Sequence, residues 1–424
     1  MQPSNLLIYR SKFICSIILL LKNIFGTGFL FLSVVEMEKH KTFPAIRMLE
    51  IAFDPGTSLT KVVYSFQGEP TQVMVMEPEI LELPVYSFED NSQDIFSNRD
   101  DRPEDDAWLK LKRSDEGCFV LGYLARTMNV SPQVSSAKHK KSVLKLLAVI
   151  GAIAQKRGLQ DRFSVKVSCV LPYNEMAEKG LFEKALVSAL RSFYFRGKHY
   201  KVKLDYFFCA PEGGGIAVKM RADSSADSFS QKTVAVLMFG HRNTSCLTFS
   251  RGKILASCTA TSDLGFHRLI ETVSQRSFIS DSDLLIQSIY AMHTDISEDD
   301  INLRRLVRAR ASEGASSQAG DIARAIAIAR SQYWAVIKDW ICRTLPPEVD
   351  LALISGGAAS SPFLREEIEK LDFVSSFSWV ETVPFVKDRL RKFPAEDNLS
   401  VRFADVSCLF DAVFSASRNP VAVA

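Results

Sequence analysis

At 424 residues the chain is too long for one ordinary core, and two or three domains are expected. Its 47% hydrophobic and 24% charged content excludes wholesale disorder. A formal net charge of +3 argues against a strong electrostatic footprint for nucleic acid or membrane, while leaving room for a local patch.

The eight cysteines (15, 118, 169, 209, 246, 258, 342 and 408) are scattered, with no CxxC pair. A zinc site or a disulfide framework needs tighter spacing. Cys169, Cys209 and Cys246 sit in or beside apolar strand-like runs, where a reduced cysteine acts as a small hydrophobe. A reducing, cytoplasmic compartment fits this usage.

Residues 13–35, FICSIILLLKNIFGTGFLFLSVV, have about the length that spans a bilayer, and Arg10 and Lys12 precede them. Lys22 and Asn23 near the middle are costly in hydrocarbon, and Gly26 and Gly28 weaken a helix. No small-residue cleavage site for a secretory signal follows. Residues 1–47 are therefore expected to be an N-terminal extension, either a membrane segment or, the favoured reading, the product of a mis-assigned start with Met37 or Met48 as the true one.

From Met48 the apolar run Met48–Phe53 reads as a strand, Asp54–Lys61 (DPGTSLTK) as a tight polar turn, and Val62–Phe66 as a second strand. A carboxylate, a glycine, three hydroxyls and a lysine within eight residues can hold a polyphosphate and its cation. The same residue types also make an ordinary surface hairpin turn. Residues 77–117 read as loops with short strands, and Lys138–Gly158 as a helix with Val143, Leu146, Leu147 and Ile150 on one face. Lysines 138, 140, 141 and 145 are expected on its solvated side. Phe163–Val170 is a buried-strand run, 174–190 is helical, and Tyr200–Cys209 is a strand ending in Ala210-Pro211-Glu212-Gly213-Gly214-Gly215, with a helix from Ile216. Ser224–Gln231 reads as a surface loop.

A second strand–turn–strand follows: Thr233–Phe239, the turn Gly240-His241-Arg242-Asn243-Thr244, and Cys246–Phe249. It repeats the layout of residues 48–66. Residues 266–345 are mostly helical, with a loop expected near 312–317. Asp350–Ile354 is a short strand leading through Ser355-Gly356-Gly357-Ala358 into a helix from Pro362, a residue suited to a first turn. Glycines there admit a flat ring or a ribose, and the helix N-terminus favours oxygen acceptors and phosphate. Val401–Ala416 reads as a final helix.

The order of these three turns resembles the actin-like ATPases of the actin, Hsp70 and sugar-kinase superfamily. DPGTSLTK is similar to the first phosphate loop, FGHRNTS to the second, LISGGAASSPFLREEI to the adenosine motif, and APEGGGIAV to the first interdomain connection. The closing segment RFADVSCLFDAVF resembles the ParM/StbA plasmid-segregation branch. The resemblance covers roughly residues 48–418. It implies an α/β, actin-like ATPase fold with two related domains flanking a nucleotide cleft: 48–212 completed by 396–424, and 213–395.

The resemblance further implies ATP and Mg²⁺ as cofactors. Asp54 would hold the magnesium through water, Gly56, Thr57 and Ser58 would contact phosphates, and Lys61 would neutralise their charge. Glu212 would orient the attacking water, with Asp54 as its catalytic companion, and Gly213–Gly215 would let the connection flex. Gly240, His241, Asn243 and Thr244 would grip phosphates, and Gly356, Gly357 and Ala358 would line the adenosine. The sequence departs from the family at Met238, where an aspartate is usual, and at His241, where actins carry another. ATP binding with slow hydrolysis is the expectation.

The function so implied is a cytoplasmic, filament-forming ATPase of plasmid or DNA segregation, with itself as partner. DNA would be reached through a ParR-type adaptor rather than directly, and a membrane only if residues 13–35 are a genuine anchor. A non-polymerising or membrane-tethered ATP switch is the alternative, and a small-molecule kinase ranks lower because no motif singles out a catalytic aspartate.

Overall fold

The computed structural model describes residues 48–66, 69–84, 102–111, 118–128, 138–223, 226–391 and 399–414. The extension 1–47, with its candidate anchor, lies outside them. Among the described residues no helix is long and apolar enough to cross a membrane. The chain divides into two compact units, one of Met1–Asp223, Thr382–Pro394 and Asp405–Ala424, the other of Ser224–Glu381 and Ala395–Ala404.

The first unit is built on a nine-stranded sheet. Its strands are β1 (Met48–Pro55), β2 (Thr60–Phe66), β3 (Gln72–Met76), β4 (Ile80–Leu83), β5 (Ala107–Leu111), β6 (Cys118–Leu121), β7 (Arg162–Leu171), β8 (Phe193–Phe195) and β9 (Lys198–Pro211). They lie in the order β3-β2-β1-β7-β9-β8-β5-β6-β4. The strand β1 turns back antiparallel onto β2, with Asp54 opposite Lys61 and Pro55 opposite Thr60. On its other side β1 runs parallel to β7, and β7 parallel to β9. A parallel neighbour requires a crossover, here supplied by helix α2 (Lys179–Leu190) between β7 and β9. Flanked on both sides, β1 is a nearly continuous apolar run with Leu49, Ile51, Ala52 and Phe53 fully buried.

Helix α1 (Lys138–Lys156) packs Leu146, Leu147, Ile150 and Ile153 into this core. The stretch after β9 forms helix α3 (Gly214–Asp223).

The second unit repeats the local layout. Its strands are β10 (Thr233–Phe239), β11 (Thr244–Ser250), β12 (Lys253–Ile254), β13 (Ala260–Ser262), β14 (Leu351–Ser355) and β15 (Phe377–Trp379). Their order is β12-β11-β10-β14-β15, with β13 on β11. Again the first strand, β10, folds back onto its hairpin partner and runs parallel to a later strand, β14. Each hairpin closes with the same loop length, since Pro55 pairs with Thr60 and Phe239 with Thr244. The repeat read from the sequence is therefore a repeat of topology.

Between β13 and β14 lie helices α4 (His267–Ser277), α5 (Ser282–Ala291), α6 (Ile301–Arg304) and α7 (Ser312–Thr344). Helix α8 (Pro362–Ile368) follows β14, with Pro362 in its first turn. Three expected boundaries shift. Residues 312–317 open α7 instead of forming a loop, and the break falls at 305–311. A short helix occupies Ala226–Gln231 in place of the expected surface loop. The final helix is two pieces, α10 (Leu399–Arg402) and α11 (Ala404–Phe414), while α9 (Pro384–Leu390) returns to the first unit, where Arg389 Nε donates to the Thr71 carbonyl at 3.1 Å.

A glycine inside a helix usually weakens it by about 1 kcal/mol relative to alanine. At Gly151 of α1 a Cβ would sit 2.3 Å from the Phe195 ring. Gly151→Ala is therefore expected to destabilise the first unit by about 1–3 kcal/mol, the range for overpacking, where the same change in an open helix would stabilise it. Urea unfolding of the two proteins checks the sign.

Candidate functional site

The first turn is shaped by its register. With Asp54 directly across from Lys61, the two side chains meet, and Lys61 Nζ lies 2.6 Å from Asp54 Oδ2. Gly56 admits no side chain, since a Cβ would fall 2.2 Å from the Leu59 carbonyl oxygen. From α1, Lys145 reaches the same turn and donates to the Gly56 carbonyl at 2.8 Å. The expectation of a solvated Lys145 is thus corrected: it is only 4% exposed. Its Nζ is drawn inward by a carbonyl that the tight turn leaves without a backbone partner in the ladder.

Glu212 ends the run from β9. Its own N–H donates to the Leu171 carbonyl at the end of β7, at 2.8 Å. The glycines that follow are held rather than loose. Asp405, at the start of α11, accepts from the N–H groups of Gly213 (2.8 Å), Gly215 (2.9 Å) and Ile216 (3.2 Å). It therefore caps the N-terminus of α3, a site that suits a carboxylate. Gly215 is required for packing, since a Cβ would lie 2.2 Å from the Asp405 carbonyl oxygen and 2.7 Å from the Leu409 nitrogen. Burial pushes the Asp405 carboxyl up to about 7. The N–H groups of Gly213 and Ile216 pull it down, and the charges of Asp54 and Glu212 push it up. Asp405 therefore feels the charges of two other carboxylates of the first unit. Asp405 was missed in the sequence reading, where it appeared only as part of a closing helix.

The second turn has another character. Gly240 N–H donates to the Asn243 carbonyl at 2.9 Å, and Thr244 Oγ1 donates to the Leu264 carbonyl at 2.7 Å. The start of α4 closes over it: the N–H groups of Phe266 and His267 donate to the carbonyls of Gly240 and His241 at 3.1 and 3.0 Å. Burial pushes the His241 imidazole down to about 4, with His267 and Arg402 pushing the same way, so it is neutral at pH 7. Where a carboxylate was sought at Met238 and His241, the turn has a thioether and a neutral imidazole, with the Arg402 guanidinium near the ring. Such surroundings suit an anion and offer a hard cation such as Mg²⁺ no carboxylate.

The third motif belongs to the same unit. Gly356 has φ 97° and a Cβ there would lie 2.4 Å from the Phe239 carbonyl oxygen, so only glycine fits. Gly357 begins a tight helical turn, its carbonyl accepts from the Tyr290 hydroxyl at 2.5 Å, and the Arg402 side chain packs beside it. Ala358 is buried. The buried hydroxyls of Ser360 and Ser361 make no hydrogen bond among the described residues. Such orphaned groups are costly unless something else pairs them.

The residues fit a polyphosphate better than a directly coordinated metal. Among the described residues no group of three or more His, Cys, Asp or Glu side chains is placed to hold a metal ion. The donor set around Asp54 suits a hydrated Mg²⁺ held through water. Thr57 and Ser58 lie in the turn beside Gly56.

No protein-family model matches the sequence, and no curated protein matches it. Solved structures do match. The actin-like protein Alp7A shares 15% identity, with a TM-score of 0.57, covering 88% of this chain and 97% of that one. ParM of Bacillus thuringiensis with ATP shares 14% identity and a TM-score of 0.51, covering 88% and 100%. A non-polymerisable quadruple mutant of pCBH ParM shares 12% identity and a TM-score of 0.51, covering 88% and 100%. The chain is thus a two-unit α/β protein in which each unit opens with a hairpin on a mixed sheet. Its fold is the actin-like fold of the ParM type.

The Asp405 carboxyl gives a pH test. Its value is 3.8 in the unfolded chain and about 7 when folded. Between those values the folded state holds the proton more tightly. The contribution of this group to stability therefore falls as pH rises through the window, and the full cost is present above it. Asp405→Asn removes the titration and keeps an acceptor for α3. The urea midpoint of the wild type relative to this variant is expected to drop between about pH 4 and pH 8. A constant difference would show that the carboxyl is ionised throughout.

Proposed function

We propose that the chain is an ATP-binding actin-like protein of the cytoplasm that assembles with its own copies, hydrolyses ATP slowly, and serves plasmid or DNA segregation through a ParR-type adaptor. The observation that carries this reading is the first turn: a side-chain-free Gly56, an aspartate and a lysine paired across the hairpin, and a second lysine on the turn carbonyl. The ParM structure with ATP on the same fold supports a nucleotide here, and the non-polymerisable ParM mutant supports assembly.

In this reading the N–H groups and hydroxyls of Gly56, Thr57 and Ser58 donate to phosphate oxygens, and Lys61 turns from Asp54 to the phosphates. Asp54 is then freed to hold the water shell of Mg²⁺, which when bound neutralises charge on the phosphates. Glu212, held between β7 and the capped start of α3, aligns the attacking water or accepts its proton. In the second turn, which Gly240 and Thr244 hold closed through their own hydrogen bonds, His241 and Asn243 bind phosphate as donors. The neutral His241 supplies a hydrogen bond where relatives supply a carboxylate, which is why slow hydrolysis is proposed. Gly356, Gly357 and Ala358 receive the adenosine, with the Ser360 and Ser361 hydroxyls as waiting partners.

Two variants test these roles. Asp54→Ala is expected to abolish Mg-ATP binding in equilibrium titration, and retained affinity would place the nucleotide elsewhere. Glu212→Gln is expected to keep ATP affinity while phosphate release slows by roughly 10²–10⁴-fold, the usual span for a general base. An unchanged rate would remove Glu212 from the chemistry. Pelleting with and without ATP separates an assembling protein from a non-polymerising ATP switch.

A further inference from the structure

The link between α5 and α7 in the second unit, residues 292–311, has no part in the proposed nucleotide chemistry. It is long for a connection with one turn of helix, and links beyond roughly 12–15 residues are usually functional or disordered. This one is built. The buried Arg330 of α7 donates to the carbonyls of Ile289 (3.1 Å), Met292 (3.0 Å) and His293 (2.5 Å), with its guanidinium over the Phe363 ring. Leu303 and Leu306 are buried beneath the middle of the link. At its far end Gln318 Oε1 accepts from the N–H groups of Arg308 and Ala309, both at 2.8 Å.

What the link displays is ordered by charge. An acidic arm carries Asp295, Glu298 and Asp299, and a basic arm carries Arg305, Arg308 and Arg310, all exposed. The arms meet where Arg304 pairs with Asp299 at 2.9 Å, while Asp300 caps α6 through the Asn302 N–H. Between them Ile301 stands 75% exposed. Among the described residues the side chains of Asp295, Glu298, Arg305, Arg308 and Arg310 make no ion pair or hydrogen bond. A nucleic acid or an anionic membrane would be drawn to the basic arm and repelled by the acidic one. A second copy meets both arms favourably, because a two-fold contact sets each acidic arm on the other copy's basic arm.

We propose that the 292–311 link is a self-complementary surface through which two copies of this chain associate, acidic arm on basic arm, with Ile301 at the centre. This rests on the self-assembly part of the function proposed above and assigns it a surface.

Charge exchange in the full chain tests it. One variant carries Arg305→Glu, Arg308→Glu and Arg310→Glu, and the other Asp295→Arg and Glu298→Arg. All five side chains are exposed, and unchanged melting curves and ATP affinity would verify that the fold and the nucleotide site are intact. Wild-type association, followed by sedimentation velocity with ATP, is expected to weaken as salt rises. Each variant alone is expected to associate at least roughly tenfold more weakly, since like-charge contacts cost several kcal/mol. An equimolar mixture, in which the acidified arm of one variant can meet the basified arm of the other, is expected to recover association. Variants that associate like the wild type, or a mixture that fails to recover, would overturn the proposal. So would a wild type that binds ATP and stays monomeric, an outcome that leaves the nucleotide reading standing. Duplex DNA bound by the wild type and lost only in the arginine variant would reassign the surface to a polyanion.

Discussion

The ion pair between Asp54 and Lys61 is the interaction on which the first turn depends. Antiparallel register places the two residues opposite each other, and the surrounding sheet leaves both nearly buried. A buried charge is tolerated only with a partner, so each side chain holds the other in place. The same two groups are the ones a metal–polyphosphate would need, the carboxylate for the cation and the ammonium for the phosphates. In the chain alone they satisfy each other. In the proposed function a nucleotide would exchange this pair for two new ones of matching charge.

Around that pair the two units divide the chemistry. The first unit gathers acid: the charges of Asp54 and Glu212 act on Asp405, and Asp405 holds the backbone after Glu212 by capping α3. In the second unit the neutral His241 imidazole has the His267 ring and the Arg402 guanidinium near it. With Met238 and His241 the second turn offers no carboxylate.

Much of this was legible in the sequence because it is local. The hairpins at 48–66 and 233–250 announce themselves by apolar runs on either side of a polar turn, and strand–Gly-Gly–helix at 351–368 is likewise contiguous. The remaining features rest on partners distant in the chain. Lys145 sits among exposed-looking lysines, and only the fold brings it to the Gly56 carbonyl, 89 positions away. Asp405 reaches the Gly213 N–H across 192 positions. A single sequence carries no signal for either contact. The break before α7 was misplaced for another reason. Ser312–Ser317 has loop composition, yet Glu313 in the first turn complements the helix dipole, and Gln318 ties the preceding loop to the helix. Composition and first-turn charge give opposite advice there, and the helix starts at Ser312 without a side-chain cap.

The central claim is that the first turn receives the phosphates of ATP by opening the Asp54–Lys61 pair. A structure of the full chain with Mg-ATP tests it most directly. The account predicts phosphate oxygens on the Gly56–Ser58 backbone, Lys61 turned from Asp54 to the phosphates, and Asp54 facing the water shell of the cation. Nucleotide bound away from this turn, with Lys61 still on Asp54, would contradict it.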